Sequence, residues 1–208
     1  MYSQNGEDKI VEELFNNNLP GYVGTLISIG ENDGVTLSNS RLFVENGWKA
    51  LLVEPSKTCF VKLSDLYRDN SDITLANLCI GNSNTVATFH ESASLLSSSD
   101  HGLVSTLCES EVRKWSKATS FTSYIVDVVT VDRLLENHKI ERVDYISIDA
   151  EGMDLEIFRQ FDLTALDCKV VVVEWNGKNK QMFDEIATKN RLHLRHKNAE
   201  NLIYSIWQ

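Results

Sequence analysis

Apolar residues fall along this chain in short unbroken runs, separated by longer stretches with helical spacing. Ile10, Val11, Leu14 and Phe15 share one helical face, and Asn16-Asn17-Asn18 followed by Pro20-Gly21 ends that helix. Thr25-Leu26-Ile27-Ser28-Ile29 then predicts a buried strand closed by Gly30, and Leu37, Leu42, Phe43 and Val44 predict a helix running up to Asn46-Gly47. The unit recurs. Ala50-Leu51-Leu52-Val53 predicts a strand ended by Glu54-Pro55, while Phe60, Leu63, Leu66 and Tyr67 mark a helix. Ile73 to Leu78 predicts a third strand. Strands alternating with helices call for right-handed crossovers, hence an α/β fold with a mostly parallel central sheet and helices on both faces.

Residues 82–121 break the rhythm. A Ser-rich stretch (Ser92, Ser94, Ser97, Ser98, Ser99) and Gly102 separate the strand-like Val86-Ala87-Thr88-Phe89 from a short helix near Glu109 to Lys117. So long a connection inside a compact domain predicts a lid or substrate loop. Alternation then resumes with a strand at Tyr124 to Val129, a helix at Val131 to Glu136, a buried strand at Val143 to Ile148 and a helix at 153–161. Lys169 to Val173 predicts another central strand and Gln181 to Lys189 another helix. Arg191 to Arg195 and Leu202 to Ile206 predict a closing antiparallel pair.

The 208 residues suit one domain over 1–208, with 42% hydrophobic and 24% charged residues sufficient for an ordinary core. A formal net charge of -10 argues against nucleic acid, whose phosphates are bound by clustered cations. No apolar run is long enough to span a bilayer, and Met1 leads directly into a polar stretch, so the expectation is a soluble, intracellular protein without a membrane span. The cysteines Cys59, Cys79, Cys108 and Cys168 are widely spaced and read as free thiols rather than disulfides or zinc ligands.

In an open parallel sheet, ligands bind beyond the carboxyl ends of the strands. Here those ends carry Gly30-Glu31-Asn32-Asp33-Gly34, Glu54, Asn77, Asp149 with Glu151, and Glu174 with Asn176. Gly30 and Gly34 let a backbone approach a ligand, and Asp33 can accept from an ammonium or cap a helix. Glu54 follows the next strand, where a ribose would want a carboxylate. Asn32 stands where a dinucleotide fingerprint needs its second glycine, and Glu31 would repel a pyrophosphate. An adenosine bearing a sulfonium suits this acidic loop better than NAD does.

Tyr2-Ser3-Gln4-Asn5-Gly6-Glu7-Asp8, Ile29 to Gly34, Val53-Glu54-Pro55, Asn77 to Gly81, Val131 to Leu135 and Ile148-Asp149-Ala150-Glu151-Gly152 together resemble the FkbM family of methyltransferases. The resemblance implies a Rossmann-like methyltransferase fold, S-adenosylmethionine as donor, and hydroxyl acceptors, often on sugars or polyketides. It implies that Gly30, Asn32, Asp33 and Gly34 hold the methionine portion of the donor, Glu54 its ribose and Asn77 the region of adenine. Gln4, Glu31, Pro55, Ser56 and Asp149 complete the implied cofactor set. The family usually has Ala where this chain has Glu31, which leaves that residue to face the sulfonium, the acceptor or solvent.

A hydroxyl must lose its proton as it attacks a methyl group, and Asp149, Glu151 and Glu174 at neighbouring strand ends are the candidate bases. Asp149, Glu174 and Asn176 would also suit Mg²⁺ or Mn²⁺, a layout similar to catechol-type O-methyltransferases. Capping of the 153–161 helix is the competing role for Asp149 and Glu151. His90 and His101 flank the long loop and could close over the site, whereas His138, His193 and His196 read as structural. Trp175 either stacks on a sugar or fills core, and Ser105 resembles a family serine of open role. The expected activity is O-methylation of a small-molecule or glycan acceptor, in a chain that could belong to a larger glycan-modifying protein. An NAD-dependent oxidoreductase or epimerase and a non-catalytic cofactor-binding module are the alternatives.

Overall fold

A computed structural model describes residues 1–97 and 100–208. Ser98 and Ser99 of the expected Ser-rich loop lie outside the described residues. The chain opens with α1 (Glu7–Asn18), β1 (Thr25–Ile29), α2 (Arg41–Glu45), β2 (Lys49–Val53), α3 (Lys57–Leu66) and β3 (Ile73–Ala76). A second group follows: β4 (Cys79–Ile80), β5 (Thr85–Ser92), α4 (Glu109–Trp115) and β6 (Phe121–Val129). The chain closes with α5 (Val131–His138), β7 (Tyr145–Ile148), α6 (Asp154–Gln160), β8 (Val170–Glu174), α7 (Lys180–Lys189), β9 (His193–Lys197) and β10 (Asn201–Ser205).

The central sheet has the order β3-β2-β1-β7-β8-β10-β9. Strands β3, β2, β1, β7 and β8 are parallel, and β10 runs antiparallel to both β8 and β9, as the closing pair predicted. Successive strand side chains point to opposite faces, and each face is covered. Ile27, Ile29, Ile146, Ile148, Val171 and Val173 pack with Leu134 of α5, Phe158 of α6 and Phe183 of α7. Leu26, Leu52, Tyr145, Val170 and Val172 pack with Phe15 of α1, Phe43 of α2 and Leu63 of α3. Each such full burial contributes about 1.5–3 kcal/mol. Going outward from β1, the chain winds to β2 on one side and to β7 on the other. The carboxyl ends at this switch point form the mouth of a crevice.

Three expected elements differ. The helix expected through Leu37 shrinks to α2, because side chains capture the backbone ahead of it. Asp33 Oδ1 accepts from the amides of Val35 (2.9 Å) and Thr36 (2.7 Å), Leu37 takes φ 56°, and Ser38 Oγ accepts from the Arg41 amide. The third strand stops at Ala76, where Asn77 Nδ2 turns back to donate to the carbonyls of Glu54 and Pro55. Cys79–Ile80 instead joins a three-stranded sheet, order β4-β6-β5. Most of the expected 82–121 loop is therefore structured: β5 forms a long antiparallel pair with β6, from Thr85 against Val128 to Ser92 against Phe121. The described residues between β5 and α4 form no further helix or strand, and several of them are tied to the loops after β1 and β7.

Candidate active site

The crevice is a cavity of ≈ 330 Å³, within the range of small-molecule sites. Its floor is the carboxyl ends of β1, β2, β7 and β8, and its roof is the segment after β5, with Leu95, Leu96, Leu103 and Ser105 among the lining residues. Gly30 is required at its centre. With φ 82°, a Cβ there would lie 1.7 Å from the Asp149 carbonyl oxygen, so only glycine lets the β1 and β7 ends meet.

Glu54 sits at the end of β2 with its carboxylate engaged by the backbone amides of Asn32 (2.8 Å) and Ser56 (2.7 Å). Burial pushes its pKa up to about 7, against the lowering effect of those two amides. Asn32, at φ 57°, also donates from Nδ2 to the His101 carbonyl at 2.9 Å, and Cys59 Sγ donates to the same oxygen at 3.3 Å. Farther along, Thr106 Oγ1 donates to the Glu151 carbonyl at 2.7 Å. The roof is thus tied to the loops after β1 and β7.

Of the cofactor residues implied by resemblance, Gln4, Gly30, Glu31, Asn32, Glu54, Pro55 and Asp149 line the cavity. Asp33, Gly34, Ser56 and Asn77 stand behind it, each with a local task. Asp33 holds the turn after β1, and Gly34 leaves room for Leu63, whose Cδ1 would lie 2.7 Å from an added Cβ. Ser56 Oγ caps α3 by accepting from the Cys59 amide at 3.0 Å, and Asn77 fixes the Glu54-Pro55 turn. Glu31 does not face solvent: it is 3% exposed, and Ser38 Oγ donates to its Oε1 at 2.7 Å.

The acids after β7 and β8 converge. Asp149, Asp154 and Glu174 each offer a carboxylate oxygen, all within 4.8 Å of one another. Burial, then the charge of Asp154, pushes Asp149 up to about 7. Burial followed by repulsion from Asp149 raises both Glu151 and Glu174 well above the usual carboxylate range. Asp154 rises to about 6, restrained by the amides of Ala150 (2.6 Å) and Gly152 (3.0 Å) that its carboxylate accepts from. Glu174 is 8% exposed, and its Oε2 has no hydrogen-bond partner among the described residues. Asp154, which the sequence did not single out, joins Asp149 and Glu174 in this tight group, while Asn176 lines the same cavity and hydrogen-bonds Glu174. No side chain caps α6, whose N-cap is Met153, and Asp154 instead holds the loop ahead of the helix through the Ala150 and Gly152 amides.

Among the described residues, Glu174 Oε2, Asn39 Oδ1, Asn201 Oδ1 and Trp115 Nε1 are buried polar atoms without partners on residues that line the cavity. Unpaired buried polar groups are costly and mark places where a ligand completes the bonding. Sequence reasoning missed Asp154, Asn39, Asn201 and the acid that orients Asn201. Glu7 is fully buried and accepts from Asn198 Nδ2 (2.6 Å), Asn201 Nδ2 (2.9 Å) and the Asn5 amide (2.9 Å), which lowers its pKa despite burial. The Asn5-Gly6-Glu7 motif was legible, but its partners 191 and 194 residues away were not.

The histidines stay out of the cavity lining. His90 Nδ1 bonds Ser123 Oγ at 2.8 Å, and His101 contributes its carbonyl to the roof. Trp175 is a core and hairpin residue, its Nε1 donating to the Asn198 carbonyl at 3.1 Å. Ser105 Oγ accepts from the Ser92 amide at 2.9 Å, bracing the roof. Cys59, Cys79, Cys108 and Cys168 are free thiols. Among the described residues no helix is long and apolar enough to cross a membrane.

Among solved structures, the chain is similar to the METTL16 MTase domain, with TM-score 0.53 at 12% identity over 97% of this chain and 66% of that one. A human methyltransferase 10 domain containing protein gives 0.51 at 12%, over 97% of this chain and 80% of that one. Monomeric WbdD gives 0.50 at 9%, with 97% of this chain covering 41% of that one. At these identities the likeness is one of fold, and the chain spans just under two thirds of the METTL16 domain. No curated protein matches the sequence. The family profile described as "Methyltransferase FkbM domain" matches residues 28–197, a span that runs from β1 through the acid cluster to β9. The chain belongs to the methyltransferase FkbM domain family.

Proposed function

We propose that this protein transfers a methyl group from S-adenosylmethionine to a hydroxyl of a sugar or glycan acceptor, with a carboxylate of the Asp149, Glu151, Glu174 group as base. The observation that carries this reading is the largely buried acid cluster at the β7 and β8 ends, lining a cavity with a glycine cradle at Gly30 and a carboxylate at Glu54. The residues fit the donor: Gly30 admits its backbone-hugging portion, Glu54 stands ready for ribose hydroxyls, and Leu78, Ile80 and Phe89 give an apolar wall for adenine. Bound there, S-adenosylmethionine supplies an electrophilic methyl on a sulfonium.

What remains for the chain is to position an acceptor and take its proton. A carboxylate with a pKa near 7 is matched to that task at neutral pH, being both ionised in part and basic enough to accept. As the acceptor oxygen forms its new bond to carbon, its proton passes to the carboxylate, and the roof segment keeps bulk water from competing. The acid cluster and the net charge of -10 disfavour phosphorylated acceptors and nucleic acid.

A second reading rests on the unpartnered Glu174 Oε2. Three carboxylates this close, two of them buried and Asp149 partly so, resist joint ionisation unless a cation joins them, and their oxygens suit Mg²⁺ or Mn²⁺ held by Asp149, Asp154 and Glu174, with Asn176 steadying Glu174. Such an ion would orient and acidify the hydroxyl.

Methyl-labelled donor offered with a panel of hydroxylated sugars tests the proposal. Glu174→Gln should keep donor binding and lose transfer by about 10²–10⁴-fold. Loss of transfer in EDTA, restored by Mg²⁺, selects the second reading. Donor binding by folded protein with label reaching no hydroxyl would refute both.

A further inference from the structure

The end of the cavity at β8 and β10 holds an acceptor atom that proton transfer leaves unused. Glu174, the last residue of β8, and Asn201, the first of β10, stand opposite one another across the antiparallel pair. Directly opposed residues project to the same side of a sheet with Cβ atoms about 5 Å apart. Both residues line the cavity, Asn201 at 5% exposure and Glu174 at 8%. Among the described residues neither Asn201 Oδ1 nor Glu174 Oε2 has a hydrogen-bond partner. Two unused acceptors on neighbouring buried side chains call for a ligand with two donors.

The Asn201 amide is held one way round. Its Nδ2 donates to Glu7 Oε1 at 2.9 Å, an oxygen that also accepts from Asn198 Nδ2 at 2.6 Å. An ionised carboxylate only accepts, so turning the amide over would set oxygen against oxygen. Burial would raise the Glu7 pKa, but the Asn5 amide and these two side chains hold it below the usual carboxylate range, so Glu7 is ionised at neutral pH. With its nitrogen committed to Glu7, Asn201 has only its oxygen left to offer a ligand. An acid of α1 thus sets which atom β10 presents.

We infer that Asn201 Oδ1, oriented by Glu7, binds a second hydroxyl of the acceptor on the carbon next to the one methylated, so that the substrate is a vicinal diol. This assignment rests on the proposed transfer to a hydroxyl. The attacked hydroxyl lies at Glu174, within the acid cluster, and its neighbour donates to Asn201. As the attacked oxygen bonds the methyl carbon, the carbon–sulfur bond breaks with its electron pair passing to sulfur, and the proton goes to the carboxylate. The hydroxyl on Asn201 keeps its proton throughout. Hydroxyls on adjacent carbons match acceptors on adjacent side chains, whereas a lone hydroxyl would leave one buried acceptor unpaired. The subsite thereby selects which hydroxyl of a ring is methylated.

Methyl glycosides of galactose, mannose and rhamnose, each beside its monodeoxy counterparts, offered with methyl-labelled donor, test the proposal. In the wild-type protein, removing the hydroxyl adjacent to the methylated one should lower kcat/KM by about 10- to 100-fold, the cost of an unpaired buried acceptor, and removing a non-adjacent one by less than about threefold. Asn201→Ala should shrink that preference to about threefold or less, and so should Glu7→Gln, whose new amide lets Asn201 turn over. S-adenosylmethionine affinity by calorimetry should stay within about twofold in Asn201→Ala. The wild-type comparison decides alone if neither variant folds. A loss under about threefold for the adjacent hydroxyl, equal losses for non-adjacent ones, or a preference that persists in both variants overturns the proposal. Weakened donor binding in Asn201→Ala would assign the residue to the donor and overturn it as well. If folded protein binds donor but labels no sugar, the hydroxyl reading fails and the subsite with it, a result distinct from each of these.

Discussion

The acids around the cavity make the unliganded protein lose stability as pH rises from 5 to 8, the reverse of what paired surface carboxylates do. Glu54 gives the cleanest magnitude, because it is buried at 5% exposure and its pKa moves from 4.5 to about 7. A folded-state pKa above the unfolded one means the folded chain binds the proton more tightly. The resulting stabilisation is complete below pH 4.5 and disappears as pH passes about 7. It amounts to about 3 kcal/mol in full, of which about 2.5 kcal/mol falls between pH 5 and 8. Asp149, also raised to about 7, and Glu31, Glu151 and Glu174 shift in the same direction. Glu7, Glu91 and Asp144 are lowered, so their contributions are lost only as pH falls below the usual carboxylate range, outside this window. Urea unfolding followed by tryptophan fluorescence, in EDTA at pH 5, 6, 7 and 8, should show stability falling by at least about 2.5 kcal/mol, or about 5–10 °C in Tm. In Glu54→Gln the fall should be smaller by about 2.5 kcal/mol. A flat or rising wild-type profile, or an unchanged fall in the variant, would refute the reasoning.

Two substitutions probe the architecture. Gly30→Ala places a Cβ 1.7 Å from the Asp149 carbonyl at a positive φ and should cost at least about 3 kcal/mol in denaturant unfolding; a loss under about 1 kcal/mol would show that β1 and β7 tolerate separation. Asn32→Gly keeps a residue at ease with φ 57° while removing the bond to the His101 carbonyl. Amide exchange at residues 102–106 should quicken about fivefold for a bond worth about 1 kcal/mol, and unchanged exchange would mean that Asn32 does not hold the roof.

The strand runs at Thr25, Ala50, Tyr145 and Val170 were legible because a strand buried on both faces is continuously apolar, and the polar residue that ends each run marks the ligand side of a parallel sheet. The helix expected before Asn46 was overstated, since periodicity cannot register that Asp33 and Ser38 capture backbone amides. The hairpin of β5 and β6 went unread as a unit, because its partners are separated by the whole roof segment. Among site residues, Gly30, Glu31, Glu54, Asp149, Glu151 and Glu174 announced themselves as glycine or acid at strand ends. Asp33, Gly34, Ser56 and Asn77 occupy the same motifs but face into the scaffold, a difference of direction that composition does not carry.

The sequence by itself therefore determined the α/β alternation, the parallel sheet, the family and the acidic character of the crevice, because each depends on local pattern and on which residue follows a strand. Tertiary structure alone decided that Asp154 joins Asp149 and Glu174, that Glu7 reaches Asn201 across the chain, and that Glu31 is buried among serines with Asn39 nearby on the same loop. Those outcomes depend on distances between segments remote in sequence and on which lone pairs packing leaves without a donor.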